Sequence, residues 1–138
     1  MSFSDGARWR IYDRTSGYCH ICGRKVFFQN YGIVGARGAW EVEHSIPWAL
    51  GGTDHLNNLY AACISCNRAK GTSSTRTVRA WNGRSRAPLS RQQRKAIRNR
   101  NGWAGVAVGL AIGARVSPSA AIVCAIIGGL IGYSIQVK

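Results

Sequence analysis

Two cysteine pairs constrain this chain more than any other feature. The pairs are Cys19-x2-Cys22 and Cys63-x2-Cys66, and residues 23–62 separate them. Two thiolates of one turn can reach a single ion, and four thiolates form the ligand set of a closed, tetrahedral zinc site. The sequence therefore predicts a structural zinc ion that ties two distant segments together. Four free thiols or a redox pair are the alternative, and neither explains why the motif occurs twice.

The charged residues divide the chain into unlike parts. The sequence has 19 Lys and Arg against 5 Asp and Glu, a formal net charge of +14. Such an excess indicates a polyanionic partner, either nucleic acid or an anionic membrane surface. All the acids precede position 102, as do all the basic residues except Arg115 and Lys138. We therefore predict a core over 1–75, a basic linker with one helix over 76–101, and an apolar, glycine-rich segment over 102–138.

The segment between the cysteine pairs predicts a small α+β core. Residues 40–44 alternate large apolar and polar side chains, which favours a short strand, and residues 59–62 are typical of a second one. A helix is expected around residues 67–70, ending near Gly71. A core this small often needs a metal clamp, which agrees with the zinc prediction.

Several short motifs follow one another, with suitable gaps, through this segment. They are Glu43-His44, Pro47, Gly51-Gly52, Asn58-Leu59 and Cys66-Asn67-x2-Lys70. Taken together, and over roughly residues 8–71, they resemble the HNH endonuclease family, whose active site is a ββα-metal motif. The resemblance implies hydrolysis of DNA phosphodiester bonds by a one-metal mechanism, with 5′-phosphate and 3′-hydroxyl ends.

The resemblance also implies roles for individual residues. His44 takes the position of the general base, because a neutral imidazole can accept a proton near physiological pH. Asn58 braces the loop and orients that base. Glu43 and Asn67 take the positions that hold a catalytic divalent ion, Mg²⁺ or a similar one, through oxygen ligands. The family usually has Asp where this chain has Glu43, which puts the distance to the ion in question. Apart from the resemblance, His20 lies between the two cysteines of the first pair and is expected to face solvent.

A basic segment follows the core. Residues 72–101 carry nine Arg and Lys and no acid, which indicates DNA binding that weakens with salt. A solvated linker, or a stretch lying on anionic lipid, is the alternative. Ser90 and Gln93 match a capping box, which predicts a helix ending near Gly102. The candidate nucleic-acid contacts are Arg68, Lys70, Arg91, Arg94, Lys95 and Arg98.

The apolar segment predicts two helices that turn between Arg115 and Pro118. Residues 119–137 contain no charge and approach the ~20 residues that cross a bilayer. Small residues recur at every fourth position, at Gly105, Gly109 and Gly113, and such spacing lets helices approach closely. We expect membrane association through a transmembrane helix, with homo-oligomerisation through this glycine zipper. A soluble hairpin that packs on itself is the alternative.

These features together predict a metal-dependent HNH endonuclease. A non-catalytic zinc module that binds DNA is one alternative, and a membrane-active protein or toxin with a nuclease-like domain is another. Paired cysteines and a polar start to the chain favour a reducing compartment. The expected location is therefore cytoplasmic, either free or anchored at the cytoplasmic face of a membrane.

Overall fold

The chain forms two compact units in its computed structural model, which describes residues 3–137. The first unit is Met1–Arg91 and the second is Gln92–Lys138. Residues 1 and 2, at the start of the predicted core, and residue 138, at the end of the predicted apolar segment, lie outside the described residues.

Among the described residues, the first unit contains a two-stranded sheet, three short α-helices and three single-turn 3-10 helices at Phe28–Asn30, Trp48–Leu50 and Leu56–Asn58. Its elements are α1 (Asp5–Asp13), β1 (Trp40–His44), β2 (Leu59–Cys63), α2 (Ile64–Lys70) and α3 (Thr75–Trp81). The Ser4 side chain accepts from the Ala7 backbone N–H and caps α1. Helix α3 occupies a stretch that the sequence predicts as linker. The predicted α+β core of two strands and a helix is confirmed.

The sheet is antiparallel and separates an apolar face from a polar one. Trp40 pairs with Cys63, and His44 pairs with Leu59. Because side chains alternate along a strand, Trp40 and Val42 share one face and join the buried cluster that contains Ile11. Glu41 and Glu43 share the other face, where they contact side chains of α2. The polar face is therefore where β1 and α2 bring chemical groups together.

The second unit is a helical hairpin. Helix α4 spans Arg91–Gly113, its first residue belonging to the first unit, and α5 spans Pro118–Ser134. The helices turn over residues 114–117, as predicted, and Ser117 caps α5 by accepting from the Ala120 N–H. The predicted helix end at Gly102 is wrong, because α4 continues through this residue. One internal glycine costs a helix only ~1 kcal/mol relative to alanine.

Small residues let α4 and α5 approach through their backbones. A Cβ atom on Gly105 would overlap the backbone of Gly128, and one on Gly113 would overlap Ala121. A Cβ on Gly109 would overlap the backbone at Cys124. The glycine zipper is therefore used inside the hairpin, as in the predicted alternative, and homo-oligomerisation through it is not supported.

The transmembrane prediction is wrong. Within residues 3–137, no helix combines the length and the apolar character needed to cross a bilayer. Helix α5 has 17 residues because it ends at Ser134, before the charge-free run does. Helix α4 is longer, but its first turns carry basic side chains such as Arg94 and Arg98.

Candidate functional site

The four paired cysteines form one cluster. The sulfurs of Cys19, Cys22, Cys63 and Cys66 all lie within 4.8 Å of one another. The Cys22 and Cys63 sulfurs are 3.8 Å apart. Tetrahedral ligands about 2.3 Å from one ion are about 3.8 Å from each other, so this spacing suits zinc. The cysteines are positioned to bind a metal ion, as the sequence predicts.

Hydrogen-bond donors surround the cluster and affect its four thiols unequally. The Cys19 sulfur accepts from the backbone N–H groups of Ile21 and Cys22 at 3.4 Å, and from that of Cys63 at 3.3 Å. Arg24 donates from Nε to the Cys22 sulfur at 3.3 Å. Hydrogen bonding, first from Cys19 and also from Arg24, lowers the pKa of the Cys22 thiol. Hydrogen bonding from Cys19 also lowers the pKa of Cys66 to about 6, whereas hydrogen bonding within the cluster raises the pKa of Cys19 and that of Cys63. A zinc ion binds thiolates, so its binding would release the protons that these sulfurs hold.

His20 does not face solvent, contrary to expectation. It is buried, and its ring stacks on Tyr60 at 3.8 Å between centroids. Arg79 donates from Nε to the His20 carbonyl oxygen, and its Nη2 lies 2.7 Å from the ring Nε2. Burial, followed by the charges of Arg79 and Arg14, lowers the pKa of His20 to about 3. This imidazole is therefore neutral and supports the sheet.

His44, the predicted base, lies at the end of β1 and is partly open to solvent. Its Nε2 lies 2.7 Å from Oδ1 of Asp54. A carboxylate at Nε2 favours the tautomer with its proton there, which leaves Nδ1 free to accept another. Asp54 was not predicted as a site residue; its only sequence signal is an acid at the end of the Gly-Gly loop.

Asn58 joins both ends of the loop that carries these two side chains. Its Oδ1 accepts from the Ile46 N–H at 2.7 Å. Its Nδ2 donates to the carbonyl oxygens of Ile46 at 3.1 Å and Thr53 at 3.0 Å. Because Ile46 and Thr53 lie close to His44 and Asp54 in the chain, these bonds hold the imidazole and the carboxylate together.

Glu43, a predicted ligand of the divalent ion, is fully buried. Its Oε1 lies 3.2 Å from the Lys70 ammonium and accepts from the Thr75 hydroxyl at 2.9 Å. Its Oε2 has no hydrogen-bond partner within the described residues. Burial raises the pKa of Glu43, and the Lys70 charge opposes that rise. Lys70 was predicted to contact phosphate, but it is buried and used inside the protein.

Asn67, the second predicted ligand, has a different partner. Its Nδ2 donates to Oε1 of Glu41 at 3.0 Å, and Arg68 Nε lies 4.0 Å from the same carboxylate oxygen. Glu43 on β1 therefore contacts Lys70 of α2, and Asn67 on α2 contacts Glu41 of β1, but Glu43 and Asn67 share no hydrogen bond. Carboxylate and amide oxygens suit Mg²⁺ in type. Glu43 Oε2 accepts no hydrogen bond from the described residues, but it is buried 3.8 Å from His20 Nε2, and the Lys70 charge would compete with an ion.

The remaining predicted DNA contacts lie on exposed helices or are engaged locally. Arg68 and Lys95 are exposed. Arg91 forms a surface ion pair with Asp13 at 3.1 Å. Within the hairpin, Arg94 donates to the Val137 carbonyl oxygen, and Arg98 lies over the Tyr133 ring at 5.4 Å.

The fold and the site define a small unit with a four-cysteine cluster, in which a strand, a loop and a helix present a histidine and acidic or amide side chains. Residues 19–73 match the family model of the HNH endonucleases, which confirms the resemblance over that segment. The match covers less than half of the chain. It indicates nuclease or DNA-binding function. No curated protein and no solved structure matches the chain.

Proposed function

We propose that this protein hydrolyses DNA phosphodiester bonds endonucleolytically, with His44 as general base. Residues 1–75 form the proposed nuclease core. The observation that carries the proposal is the 2.7 Å contact between His44 Nε2 and Asp54 Oδ1. It gives a partly exposed imidazole a fixed orientation inside a segment that matches the HNH endonucleases. An oriented imidazole is the usual means of deprotonating water near neutral pH.

The side chains divide the work as follows. Asp54 holds the proton at Nε2, so Nδ1 removes a proton from the attacking water. The imidazolium that results is stabilised by the adjacent Asp54 carboxylate. Asn58 keeps the loop closed while the ring changes charge. The water oxygen attacks phosphorus in line with the bond to the 3′-oxygen, and that bond breaks. The products then carry a 5′-phosphate and, once the leaving oxygen takes up a proton, a 3′-hydroxyl, which are the ends that the family resemblance implies.

Glu43 and Asn67 are the residues that would hold a divalent ion such as Mg²⁺. Bound there, the ion would neutralise charge on the phosphoryl oxygens and provide a water to protonate the leaving oxygen. Lys70 lies 3.2 Å from Glu43 Oε1 and keeps this buried carboxylate compensated until the ion arrives. This buried ion pair explains why the protein without Mg²⁺ tolerates the carboxylate. The Glu43→Gln variant should need a far higher Mg²⁺ concentration for cleavage.

The substrate is proposed to be DNA on electrostatic grounds. The net charge of +14 attracts a polyanion and makes its binding weaken with salt. Exposed basic side chains, including Arg68, Arg91 and Lys95, supply phosphate contacts. We place the activity in the cytoplasm, where four thiolates stay reduced.

Cleavage of supercoiled plasmid by the full chain with Mg²⁺ tests the proposal. The cleavage rate of His44→Ala should be lower by about 10²-fold or more, which is the usual contribution of a general base. Its zinc content and its DNA affinity should stay the same. The matched control is His55→Ala, which removes an exposed imidazole from the neighbouring loop and should cleave normally. Equal rates for His44→Ala and the unsubstituted chain would overturn the assignment.

A non-catalytic DNA-binding module is the second candidate, and the Lys70–Glu43 ion pair favours it. A cation of the protein already occupies one side of the carboxylate that the ion would need. This candidate predicts DNA binding that does not depend on Mg²⁺, with no cleavage by the unsubstituted chain. The plasmid assay therefore separates the two candidates.

A further inference from the structure

The loop after β1 exposes three large apolar side chains in alternation. They are Ile46, Trp48 and Leu50, and Trp48 is 58% exposed. Single exposed apolar residues are common on soluble proteins, but several on one short loop mark an interaction surface. We call these three side chains the loop triad.

The loop triad is carried on a rigid support. Gly52 donates its backbone N–H to the Pro47 carbonyl oxygen at 3.0 Å, and a Cβ on Gly52 would overlap the backbone of Ile46. The Asn58 side chain makes three hydrogen bonds to the same loop. Trp48 therefore reaches its partner already positioned, which lowers the entropic cost of contact.

The loop triad adjoins the candidate base. The rings of Trp48 and His44 meet edge to face with centroids 6.1 Å apart. Successive phosphates of one DNA strand are about 3.4 Å apart along the helix axis. A phosphate held at His44 would therefore bring the bases of the next one or two steps to Trp48.

We propose that the loop triad contacts DNA bases beside the scissile phosphate, with Trp48 entering a base step and stacking on a base. The inference rests on the proposed function, because it needs a phosphate at His44. The occupant is DNA rather than a protein because the chain carries +14 charge and the loop triad adjoins the phosphate-handling groups. Apolar side chains insert between base steps in many DNA complexes, and aromatic rings stack on bases of any sequence.

Insertion has a consequence for substrate choice. Opening a base step costs free energy, and the cost is smaller where a base is mismatched or unpaired. The protein should therefore bind a duplex with one mismatch more tightly than the fully paired duplex. That preference should depend on Trp48, whereas the contribution of the basic residues is the same for both DNAs.

The test measures binding of both duplexes by fluorescence anisotropy, using the full chain with His44→Ala so that no DNA is cut. Adding Trp48→Ala should weaken binding to the mismatched duplex about tenfold, the effect of losing one stacked base, and remove the preference. Trp48→Phe should retain most of both. The matched control is Trp81→Ala, because Trp81 is 67% exposed on α3 of the same unit. It should bind both duplexes normally.

Identical binding by the Trp48→Ala and Trp81→Ala proteins on both duplexes would overturn the inference and assign the loop triad to a protein partner. Circular dichroism shows whether each variant is folded. The plasmid assay keeps the two proposals distinguishable. If the unsubstituted chain cleaves but Trp48 does not affect binding, only this inference fails. If Trp48 governs the mismatch preference but no cleavage occurs, the proposed hydrolysis fails.

Discussion

Each of the two units is stabilised internally by a different means. In the first unit, a two-stranded sheet supports a small buried cluster, and four cysteine sulfurs join its distant segments. In the second unit, two helices approach because glycines such as Gly105 and Gly109 leave room for the facing backbone. A metal clamp lets a short chain hold polar side chains in fixed places, because the clamp replaces apolar core.

This difference explains where the chemical groups lie. Asp54, His44 and Asn58 occupy loops of the first unit whose ends are fixed by hydrogen bonds. The hairpin instead leaves large side chains such as Ile126 and Leu130 exposed, since its contact uses small residues. If the account is correct, damage to one kind of support should leave the other unit intact.

Loss of the metal should have the largest effect and should be confined to the first unit. A structural zinc site contributes about 10–16 kcal/mol in small zinc domains, as much as a whole domain's usual stability. Chelation, or the Cys66→Ser variant, should therefore abolish the near-ultraviolet circular dichroism of buried Trp40 while hairpin helicity persists. Cys124→Ser, in α5, is the control and should change neither signal. A native near-ultraviolet spectrum after complete zinc removal would contradict the comparison.

Asn58→Ala should have the next largest effect. It removes the three hydrogen bonds of a buried side chain and leaves the part-buried Ile46 N–H without its acceptor, which costs about 1–3 kcal/mol of unfolding free energy. Amide exchange at Ile46 should accelerate, and the urea midpoint of the zinc-loaded first unit should fall. Asn57→Ala changes the exposed neighbouring side chain and serves as the control. Unchanged exchange at Ile46 would show that Asn58 does not hold the loop.

Gly109→Ala should destabilise only the hairpin, by about 1–3 kcal/mol, because its methyl group overlaps the backbone at Ala125. Gly102→Ala is the matched control on the same helix. Its Cβ would meet Tyr133 Cβ at 3.7 Å, an ordinary contact, and alanine favours helix by up to about 1 kcal/mol. Urea unfolding followed by far-ultraviolet circular dichroism measures both. Equal midpoints would contradict the backbone contact.

Arg68→Ala should have the smallest effect on stability and a small one on DNA binding. Its guanidinium is exposed and lies 4.0 Å from Glu41, a surface pair that contributes at most about 1 kcal/mol. If Arg68 contacts a phosphate, the slope of log affinity against log salt should decrease by about one. Anisotropy titrations over a range of salt concentrations measure this slope, and an unchanged slope would remove Arg68 from the interface.

Local patterns predicted much of both units. The spacing of the cysteines predicted their cluster, and alternation predicted β1 at Trp40–His44. Charge-free runs on both sides of Arg115 and Pro118 predicted the hairpin turn. Each of these follows from residues close in sequence or from a chemistry with few solutions, such as four thiolates around one ion.

Side-chain partners and helix lengths were harder to predict. The pairing of Asn67 with Glu41, and of Lys70 with Glu43, depends on the register of α2 against β1, which no periodicity specifies. His20 is buried because Tyr60 and Arg79 cover it from distant parts of the chain. The charge-free run and the spacing of small residues suggested a membrane span, but the glycines with that spacing serve the contact between α4 and α5.

Chemical rescue tests the central claim, that the imidazole of His44 removes the proton from water. The measurement is the single-turnover cleavage rate of His44→Gly, at saturating DNA and Mg²⁺, with increasing imidazole. The account predicts a rate near zero that rises with imidazole concentration, because the glycine leaves space for a free base beside Asp54. A cleavage rate close to that of the unsubstituted chain without imidazole would contradict it.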